Sequence, residues 1–154
     1  MKLDCCSIFS RLPRAALSVK FLTMLTIGIV AGEASGDLLG SHLIKSLKKH
    51  RPDLQFVGVA GPKMQAEGAA SLFPMEQLAV RGFFEVLRHL PSIFRLRYQL
   101  LKYFSQNPPD LFIGIDAPDF NLGLERKLKR RGIKTIHYVS PSIWAWRRGR
   151  VNKI

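Results

Sequence analysis

The sequence predicts an α/β fold, a Rossmann-like parallel sheet with helices on both faces. Three observations lead to this prediction. Short apolar runs alternate with longer patterns of helical period from Met24 onward. A turn with two glycines, AGEASGD at residues 31–37, joins the first apolar run directly to the first helical pattern. The 154 residues are 47% hydrophobic, which is enough to enclose the core of one domain.

Residues 1–23 differ in character from the chain that follows them. Basic side chains are scattered among small and apolar residues, and Pro13 interrupts the stretch. A basic segment followed by an apolar run over residues 21–31 could be a signal peptide. We favour a natural start at Met24, because the apolar run serves as the first strand and the glycine-rich turn follows it directly. Residues 1–23 are then an extension, either disordered or a mis-assigned start, and residues 24–154 form the domain.

The first strand, residues 25–31, leads through the turn into a helix over about residues 37–50. Gly32 and Gly36 permit tight backbone geometry and the close approach of a ligand. Free N–H groups at the start of the helix favour polar or anionic groups. The turn lacks the G-x-G-x-x-G spacing, so a simpler role stays open in which Asp37 or Ser35 caps the helix. For Asp37 we prefer the cap to a ligand role.

Two short strands and a short helix come next. Residues 54–60 form the second predicted strand. Pro62 opens a short helix that ends before Gly68, and residues 71–73 form a short third strand.

Residues 80–104 are rich in both apolar and basic side chains. We predict two helices divided near Pro91, because proline interrupts helical hydrogen bonding. The helices either cover a face of the sheet with their arginines in water or dock on an anionic membrane, and the pattern allows both. The apolar positions expected to face the membrane are Phe84, Leu87, Leu90 and Phe94.

Residues 111–116 form an apolar strand that ends in a carboxylate, and a helix follows from Phe120 to about Arg131. Asp116 and Asp119 are the one plausible acid–base pair in the sequence. A partly desolvated carboxylate just past a buried strand has a raised pKa and can act as a base. Asp116 therefore either acts as a base or holds the N–H groups of a neighbouring loop. For Asp119 we favour a helix cap.

The last predicted strand covers residues 134–140, and His137 inside it is expected to be buried and hydrogen-bonded. Trp144 and Trp146 follow, either as core or partner contacts or as walls of a sugar or acyl pocket. Ligands of an open parallel sheet bind beyond the carboxyl ends of its strands. This rule brings residues 32–37, 116–121 and 140–146 to one edge of the sheet.

The formal net charge of +13 is large for this length. Such a protein can meet nucleic acid, anionic lipid or phosphorylated small molecules, and charge does not choose among them. Cys5 and Cys6 are the only cysteines, so the sequence holds no disulfide framework and no zinc spacing. A reducing, cytosolic compartment fits this cysteine content best. The histidines show no metal-ligand spacing, and we expect neither a metal nor a cofactor.

Four segments in order carry a resemblance to a known family. They are residues 30–37 (VAGEASGD), residues 56–62 (FVGVAGP) with residues 64–68 (MQAEG), residues 114–121 (GIDAPDFN) and residues 132–146 (GIKTIHYVSPSIWAW). Together they make the chain resemble lipid-A-disaccharide synthase, and the resemblance covers residues 25–154. It does not extend to residues 1–23.

The resemblance implies an inverting glycosyltransferase of the GT-B type, in which two Rossmann-like domains face a cleft. The family transfers 2,3-diacylglucosamine from its UDP donor to 2,3-diacylglucosamine 1-phosphate. The product is the β-1,6-linked tetraacyl disaccharide 1-phosphate of lipid A biosynthesis. Both substrates are acylated, which implies a peripheral position on the cytoplasmic face of the inner membrane. Asp116 matches the base proposed for the family, and no metal is implied.

With this resemblance we also expect Gly32, Gly36, Asn121 and Ser140 at the cleft. Glu33 and Ser35 either line the cleft near the sugar or order Asp116. Family chains are more than twice as long, and their second domain binds the UDP part of the donor. We therefore expect an N-terminal, acceptor-side domain, truncated before the nucleotide-binding domain and inactive alone. The alternative is a basic Rossmann-like module that binds nucleic acid or anionic lipid. Since no RNA-binding motif is present, we expect no nucleic-acid partner.

Overall fold

The computed structural model describes residues 24–78 and 83–139, and for residues 83–90 it describes the backbone alone. The predictions for residues 1–23, Ser140, Trp144 and Trp146 fall outside this part of the chain. The structure therefore bears on the elements from the first strand to the fifth.

The described residues form one five-stranded sheet in the order β3-β2-β1-β4-β5. Its strands are β1 (Thr26–Val30), β2 (Gln55–Val59), β3 (Ala69–Ser71), β4 (Leu111–Gly114) and β5 (Lys134–His137). Every neighbouring pair is parallel. The predicted parallel α/β sheet is confirmed.

Four α-helices connect the strands: α1 (Ala34–His50), α2 (Pro62–Ala66), α3 (Phe83–Gln106) and α4 (Pro118–Lys129). A short 3-10 helix, Met75–Gln77, precedes α3. Helix α1 begins three residues before the predicted position, inside the glycine-rich turn. Its first backbone N–H groups therefore lie directly beside the end of β1.

The prediction of two helices divided near Pro91 is wrong, because α3 is one continuous helix with Pro91 inside it. An internal proline removes one backbone hydrogen bond and costs about 3 kcal/mol. Packing outweighs this cost. Leu96, Leu100 and Phe104 recur every four residues along α3 and are almost completely buried. The ring of Phe104 meets Phe112 of β4 edge to face, with 5.6 Å between the ring centroids.

The order of the strands places a crevice between β1 and β4. From β1 the chain crosses to β2 and β3 on one side of the sheet, and from β4 it crosses to β5 on the other. The connections that leave the two central strands therefore diverge. In an open parallel sheet, such a point at the carboxyl ends of the strands is where ligands bind.

Candidate active site at the carboxyl ends of β1 and β4

Asp116 lies at this crevice and is bound by the loop that follows β1. The backbone N–H of Gly32 donates to Oδ1 of Asp116 at 2.6 Å, and the N–H of Glu33 donates to Oδ2 at 3.0 Å. Of the two roles expected for Asp116, the structure contains the one in which it holds the N–H groups of a neighbouring loop. The contacts also fix the direction of the carboxylate, which a base needs as well. The catalytic role stays a prediction.

Gly32 and Gly36 provide the room for this carboxylate. A Cβ atom at residue 36 would lie 2.0 Å from Oδ2 of Asp116, and one at residue 32 would lie 2.8 Å from Cβ of Ala117. Both distances are shorter than any normal contact between these atoms. The two glycines of the predicted turn are therefore required by the close approach of Asp116 and Ala117.

Opposing influences set the pKa of Asp116: burial and the charge of Glu33 raise it, and hydrogen bonds to the carboxylate lower it. Burial of the carboxyl raises the pKa, because a low-dielectric surrounding disfavours the charged form. The N–H donors of Gly32 and Glu33 lower the pKa, since they stabilise the anion. Burial is the larger influence, and the pKa of Asp116 is raised above its usual value. The carboxylate is therefore more basic than a free aspartate while both of its oxygens remain hydrogen-bonded.

The residue after Asp116 has a strained backbone. Ala117 caps the start of α4 with φ 45° and ψ 61°, in the left-handed region. This conformation costs a residue with a side chain about 1–3 kcal/mol, and a following proline, Pro118, disfavours it further. The strained turn ends the extended chain after β4 and begins the helix within two residues of Asp116. Its geometry therefore decides where the carboxylate stands relative to β1.

Asn121 lies beneath the site and not on its surface. Its side chain is completely buried. Its Nδ2 donates to the carbonyl oxygen of Asp116 at 2.6 Å and to that of Val30 at 3.3 Å. The structure thus places this predicted cleft residue in contact with the backbone of β1 and of the segment after β4.

Glu33 and Ser35 are exposed at the edge of the sheet beside Asp116. Glu33 is the N-cap residue of α1, and its side chain makes no capping hydrogen bond. A cap of α1 by Asp37 or Ser35, the simpler role considered for this turn, is therefore wrong. Glu33 and Ser35, two of the predicted cleft residues, nonetheless have exposed side chains near the Asp116 carboxylate.

Asp37 caps a different helix from the one expected. It is buried in the first turn of α1, and its carboxylate accepts hydrogen bonds from the N–H groups of Lys63 and Met64, both at 3.0 Å. These N–H groups belong to the first turn of α2. Gly61 makes the approach possible, since a Cβ atom there would lie 2.4 Å from Cγ of Asp37. Asp37 therefore joins α1 to α2.

Asp119 lies in the first turn of α4, one residue inside the helix, so the predicted cap at this residue is wrong. Helix α4 begins at Pro118, earlier than expected, and Ala117 takes the N-cap position. The carbonyl oxygen of Asp119 accepts a hydrogen bond from Nη2 of Arg97 at 2.8 Å. This arginine, which the sequence reasoning did not single out, connects α3 to α4.

Arg97 is held between two aromatic rings. Its guanidinium carbon lies 5.5 Å from the ring centroid of Phe94 and 5.1 Å from that of Phe120. Burial lowers the pKa of Arg97, and the charge of Asp119 opposes that change. One signal was present in the sequence, because Phe94 and Arg97 are three residues apart and so adjacent on a helix.

His137 is hydrogen-bonded, as predicted, and the residue is partly buried. Its Nδ1 lies 2.8 Å from Oε1 of Glu125, and both side chains are about nine-tenths buried. Burial raises the pKa of Glu125, and the contact with His137 partly offsets this. The sequence reasoning missed Glu125. Its signal is the spacing from Asn121, since residues four apart share one face of a helix and this face meets the sheet.

The structure tests the expected membrane-facing residues only in part. The side chains of Phe84, Leu87 and Leu90 fall outside the described residues. Phe94 is 58% exposed and Tyr98, one turn further along α3, is 67% exposed. Within residues 24–78 and 83–139, no helix is both long and apolar enough to cross a membrane.

A cavity of about 760 Å³ lies at the amino ends of the strands, on the far side of the sheet from Asp116. Its lining includes Thr26, Lys48, Gln55 and Tyr103, and contains no carboxylate and no histidine. Its titratable lining residues are Lys48 and Tyr103. Among the described residues, no group of three or more histidine, cysteine or carboxylate side chains is placed to hold a metal ion.

The parallel sheet, its strand order and the carboxylate at the crevice define a Rossmann-like α/β domain of the kind found in GT-B glycosyltransferases. Residues 27–154 match the family described as lipid-A-disaccharide synthetase, and the chain belongs to that family. The family resemblance read from the sequence motifs is confirmed.

The relatives share high identity with this chain over most of its length. It is 72% identical over 131 residues to the lipid-A-disaccharide synthase of Methylobacillus flagellatus, covering 85% of this chain and 35% of the relative. It is 62% identical over 130 residues to that of Photobacterium profundum, covering 84% of this chain and 34% of the relative. The chain thus spans about a third of the length of the curated relatives it matches.

Proposed function

We propose that this chain supplies the acceptor side of a lipid-A-disaccharide synthase. The reaction transfers 2,3-diacylglucosamine from its UDP donor to the 6-hydroxyl of 2,3-diacylglucosamine 1-phosphate. The observation that carries the proposal is the held, half-buried carboxylate of Asp116 at the crevice between β1 and β4. It lies within the residues that match the family.

Asp116 is the general base in this proposal. The acceptor 6-hydroxyl attacks the anomeric carbon of the donor, and the new C–O bond forms as the bond to the UDP oxygen breaks. UDP leaves with the electron pair of the broken bond, and the hydroxyl proton passes to Asp116. Burial raises the pKa of this carboxyl, which favours proton uptake. The N–H groups of Gly32 and Glu33 hold it in one orientation, so little entropy is lost on reaction.

The exposed side chains of Glu33 and Ser35 contact sugar hydroxyls in this proposal. Both flank the loop that binds Asp116, and neither is needed to hold the carboxylate, which uses backbone N–H groups. Gly32 and Gly36 let this loop lie close to Asp116 and so bring both side chains to the site.

The donor nucleotide binds elsewhere in the proposed enzyme. The curated relatives are about three times as long as the segment they share with this chain. We place the UDP part of the donor on that remaining length and assign residues 24–154 to the acceptor-side domain. A cleft between two domains needs both, so we expect residues 24–154 alone to give no transfer.

The test uses a chimera in which residues 24–154 replace the matching segment of the Methylobacillus flagellatus synthase. We expect the chimera to transfer diacylglucosamine to the acceptor. Asp116→Asn should lower kcat by about 10²–10⁴-fold, the usual contribution of a general base. The matched control is Asp53→Asn, an exposed carboxylate before β2 at the opposite edge of the sheet. Unchanged turnover in the Asp116 variant would remove Asp116 from the role of base.

The net charge of +13 supports a second candidate, a module that binds nucleic acid. A gel shift with RNA that weakens steeply with salt would favour it over the synthase. We expect no shift at 150 mM salt, about the physiological ionic strength.

A further inference from the structure

We propose that Asn121 is a positioning residue: it places the Asp116 carboxylate by joining the carboxyl ends of β1 and β4 through its side-chain amide. The catalytic meaning of this position rests on the proposed function. The geometry itself does not, because it concerns contacts within the chain.

The chemistry of the two contacts fixes the direction of the Asn121 amide. Both partners, the oxygens of Val30 and Asp116, are carbonyl acceptors, so only the NH₂ group can face them. The N–H of Ile115 also donates to the Val30 oxygen, at 2.9 Å. One buried amide therefore bonds the last residue of β1 and the residue that carries the carboxylate.

Together with the hydrogen bonds to the carboxylate, these contacts join the end of β1, the loop after it and Asp116 in one network. Asn121 holds the main chain of Asp116 to the end of β1, and the loop after β1 holds its side chain through Gly32 and Glu33. Asp116 thus accepts hydrogen bonds at its main-chain oxygen and at both carboxylate oxygens. Strained residues persist when their surroundings over-determine them. The Asn121 bonds supply that constraint for Ala117, which lies between Asp116 and α4.

Gly114 gives Asn121 the approach that it needs. A Cβ atom at residue 114 would lie 2.9 Å from Cβ of Asn121 and 2.2 Å from Oε1 of Glu125. Its absence lets α4 lie close to the end of β4. Glu125, one turn further along the same face of α4, is hydrogen-bonded to His137 of β5. This contact helps to fix the rotation of α4 about its axis.

A direct role for Asn121 in substrate contact is disfavoured by its burial. The side chain is 0% exposed, and within the described residues its Oδ1 accepts no hydrogen bond. Both hydrogens of Nδ2 are used by the backbone. Residue 121 therefore needs a side chain that donates two hydrogen bonds and fits into a closed space.

The first test is by NMR on the 154-residue chain with Asn121→Leu, which keeps the branching at Cγ and removes the donor. We expect the amide proton signal of Gly32 to move upfield, because its short bond to the carboxylate is lost. The pKa of Asp116, followed through its carboxyl carbon, should rise further, since the N–H donors lower it. The control is Ser41→Ala, which removes another buried donor, to the Leu38 oxygen, and should leave both signals unchanged.

A folded Asn121→Leu chain with the parent Gly32 signal and the parent Asp116 pKa would overturn the proposal. If the variant fails to fold, titration of the unmodified chain decides. The side-chain amide signals of Asn121 should then shift with the same apparent pKa as the Asp116 carboxyl. Amide signals that stay constant through that titration would equally overturn it.

The second test is kinetic and uses the chimera described above. A misplacement of about 1 Å can cost 10²-fold in rate, so we expect Asn121→Leu to lower kcat by about 10–100-fold while KM changes little. The acidic limb of the pH profile of kcat/KM should move to higher pH. If Asp116→Asn keeps full activity, the proposed function fails, whereas the NMR result for Asn121 is unaffected.

Discussion

At the scale of single residues, Asp116 shows how one carboxylate serves two needs. Burial makes it more basic, and two backbone N–H groups oppose this shift and hold the carboxylate in one direction. A carboxyl with burial alone would be a stronger base without a fixed direction. One with N–H donors alone would be well aligned but weakly basic.

The carboxylate site predicts an unusual result for Gly36→Ala. Replacing glycine by alanine within a helix normally stabilises it by up to about 1 kcal/mol. Here the new methyl group would overlap Oδ2 of Asp116, so we expect a loss of about 1–3 kcal/mol in the free energy of unfolding. Urea denaturation measures the change, and Ser46→Ala on the exposed face of α1 serves as the control. A stabilised Gly36→Ala chain would contradict the packing described for Asp116.

Glu125 gives a prediction about pH. Because its pKa is raised in the folded state, the folded chain binds more protons than the unfolded chain above pH 4.5, the reference value for glutamate. The free energy of unfolding therefore falls as the pH rises from that value through the raised pKa. Glu125→Gln removes this titration and keeps an oxygen for His137. We expect the difference in stability, variant minus parent, to increase with pH across this window.

Urea denaturation in steps from pH 4.5 upward measures this difference. Asp116 titrates in both chains, so its contribution cancels in the comparison. Parallel pH profiles for the two chains would mean that burial does not raise the pKa of Glu125. As a control, Glu76→Gln changes an exposed glutamate of the 3-10 helix and should leave the slope unchanged.

At the scale of elements, α3 shows what the periodicity of apolar residues in the sequence could predict and what it could not. The alternation of apolar runs and helical patterns was enough to predict the strands and their parallel arrangement. It did not predict that α3 continues through Pro91, because the buried side chains at the far end of the helix compensate for the proline. That compensation depends on contacts with β4, which lies later in the sequence.

Asp37 and Asn121 show the same limit within the site. The sequence shows a carboxylate and an amide near helix starts, which suggests caps and cleft residues. Which backbone groups they meet depends on the neighbouring element, α2 for Asp37 and β1 for Asn121. These contacts join residues that are far apart along the chain, so local patterns could not reveal them. The place of Asp116 was predictable because it follows from the end of one strand.

Pro91 gives a prediction at this scale. Since the side chain is exposed and the residue lies within α3, Pro91→Ala should restore a backbone hydrogen bond without removing buried contacts. Proline inside a helix is about 3 kcal/mol less favourable than alanine, so we expect stabilisation of up to this amount. Thermal unfolding followed by circular dichroism measures it, and Gln99→Ala on the same helix is the control. A destabilised Pro91→Ala chain would show that the proline has a favourable role in α3.

At the scale of the whole molecule, charge and exposed aromatic side chains coincide on α3. Phe94 and Tyr98 are exposed, with the exposed Arg95 between them, in a chain of net charge +13. We propose that this surface docks on an anionic membrane. The mechanism is partial insertion of aromatic side chains combined with attraction between cations and lipid phosphates.

Sedimentation with anionic phospholipid vesicles tests the docking surface. The parent chain should sediment with the vesicles, and the double variant Phe94→Ser with Tyr98→Ser should do so several-fold less. Tyr138→Ser removes an exposed aromatic side chain near the end of β5 and should sediment like the parent. Equal sedimentation of the double variant and the parent would rule out this part of α3 as the contact.

The glycine-rich loop contains two kinds of position: those where no side-chain atom can be added and those where the side chain can be exchanged. This difference matters for any redesign of the acceptor specificity that we propose. At residues 32 and 36 even one added carbon collides with the Asp116–Ala117 segment. Glu33 and Ser35, between them, carry exposed side chains that take no part in holding the Asp116 carboxylate. Under the proposed function, libraries that vary only these two residues alter acceptor recognition while the backbone contacts of Gly32 and Glu33 with Asp116 stay in place. Positions fixed by packing and positions open to substitution thus alternate within five consecutive residues, and the charge of Glu33 still raises the pKa of Asp116.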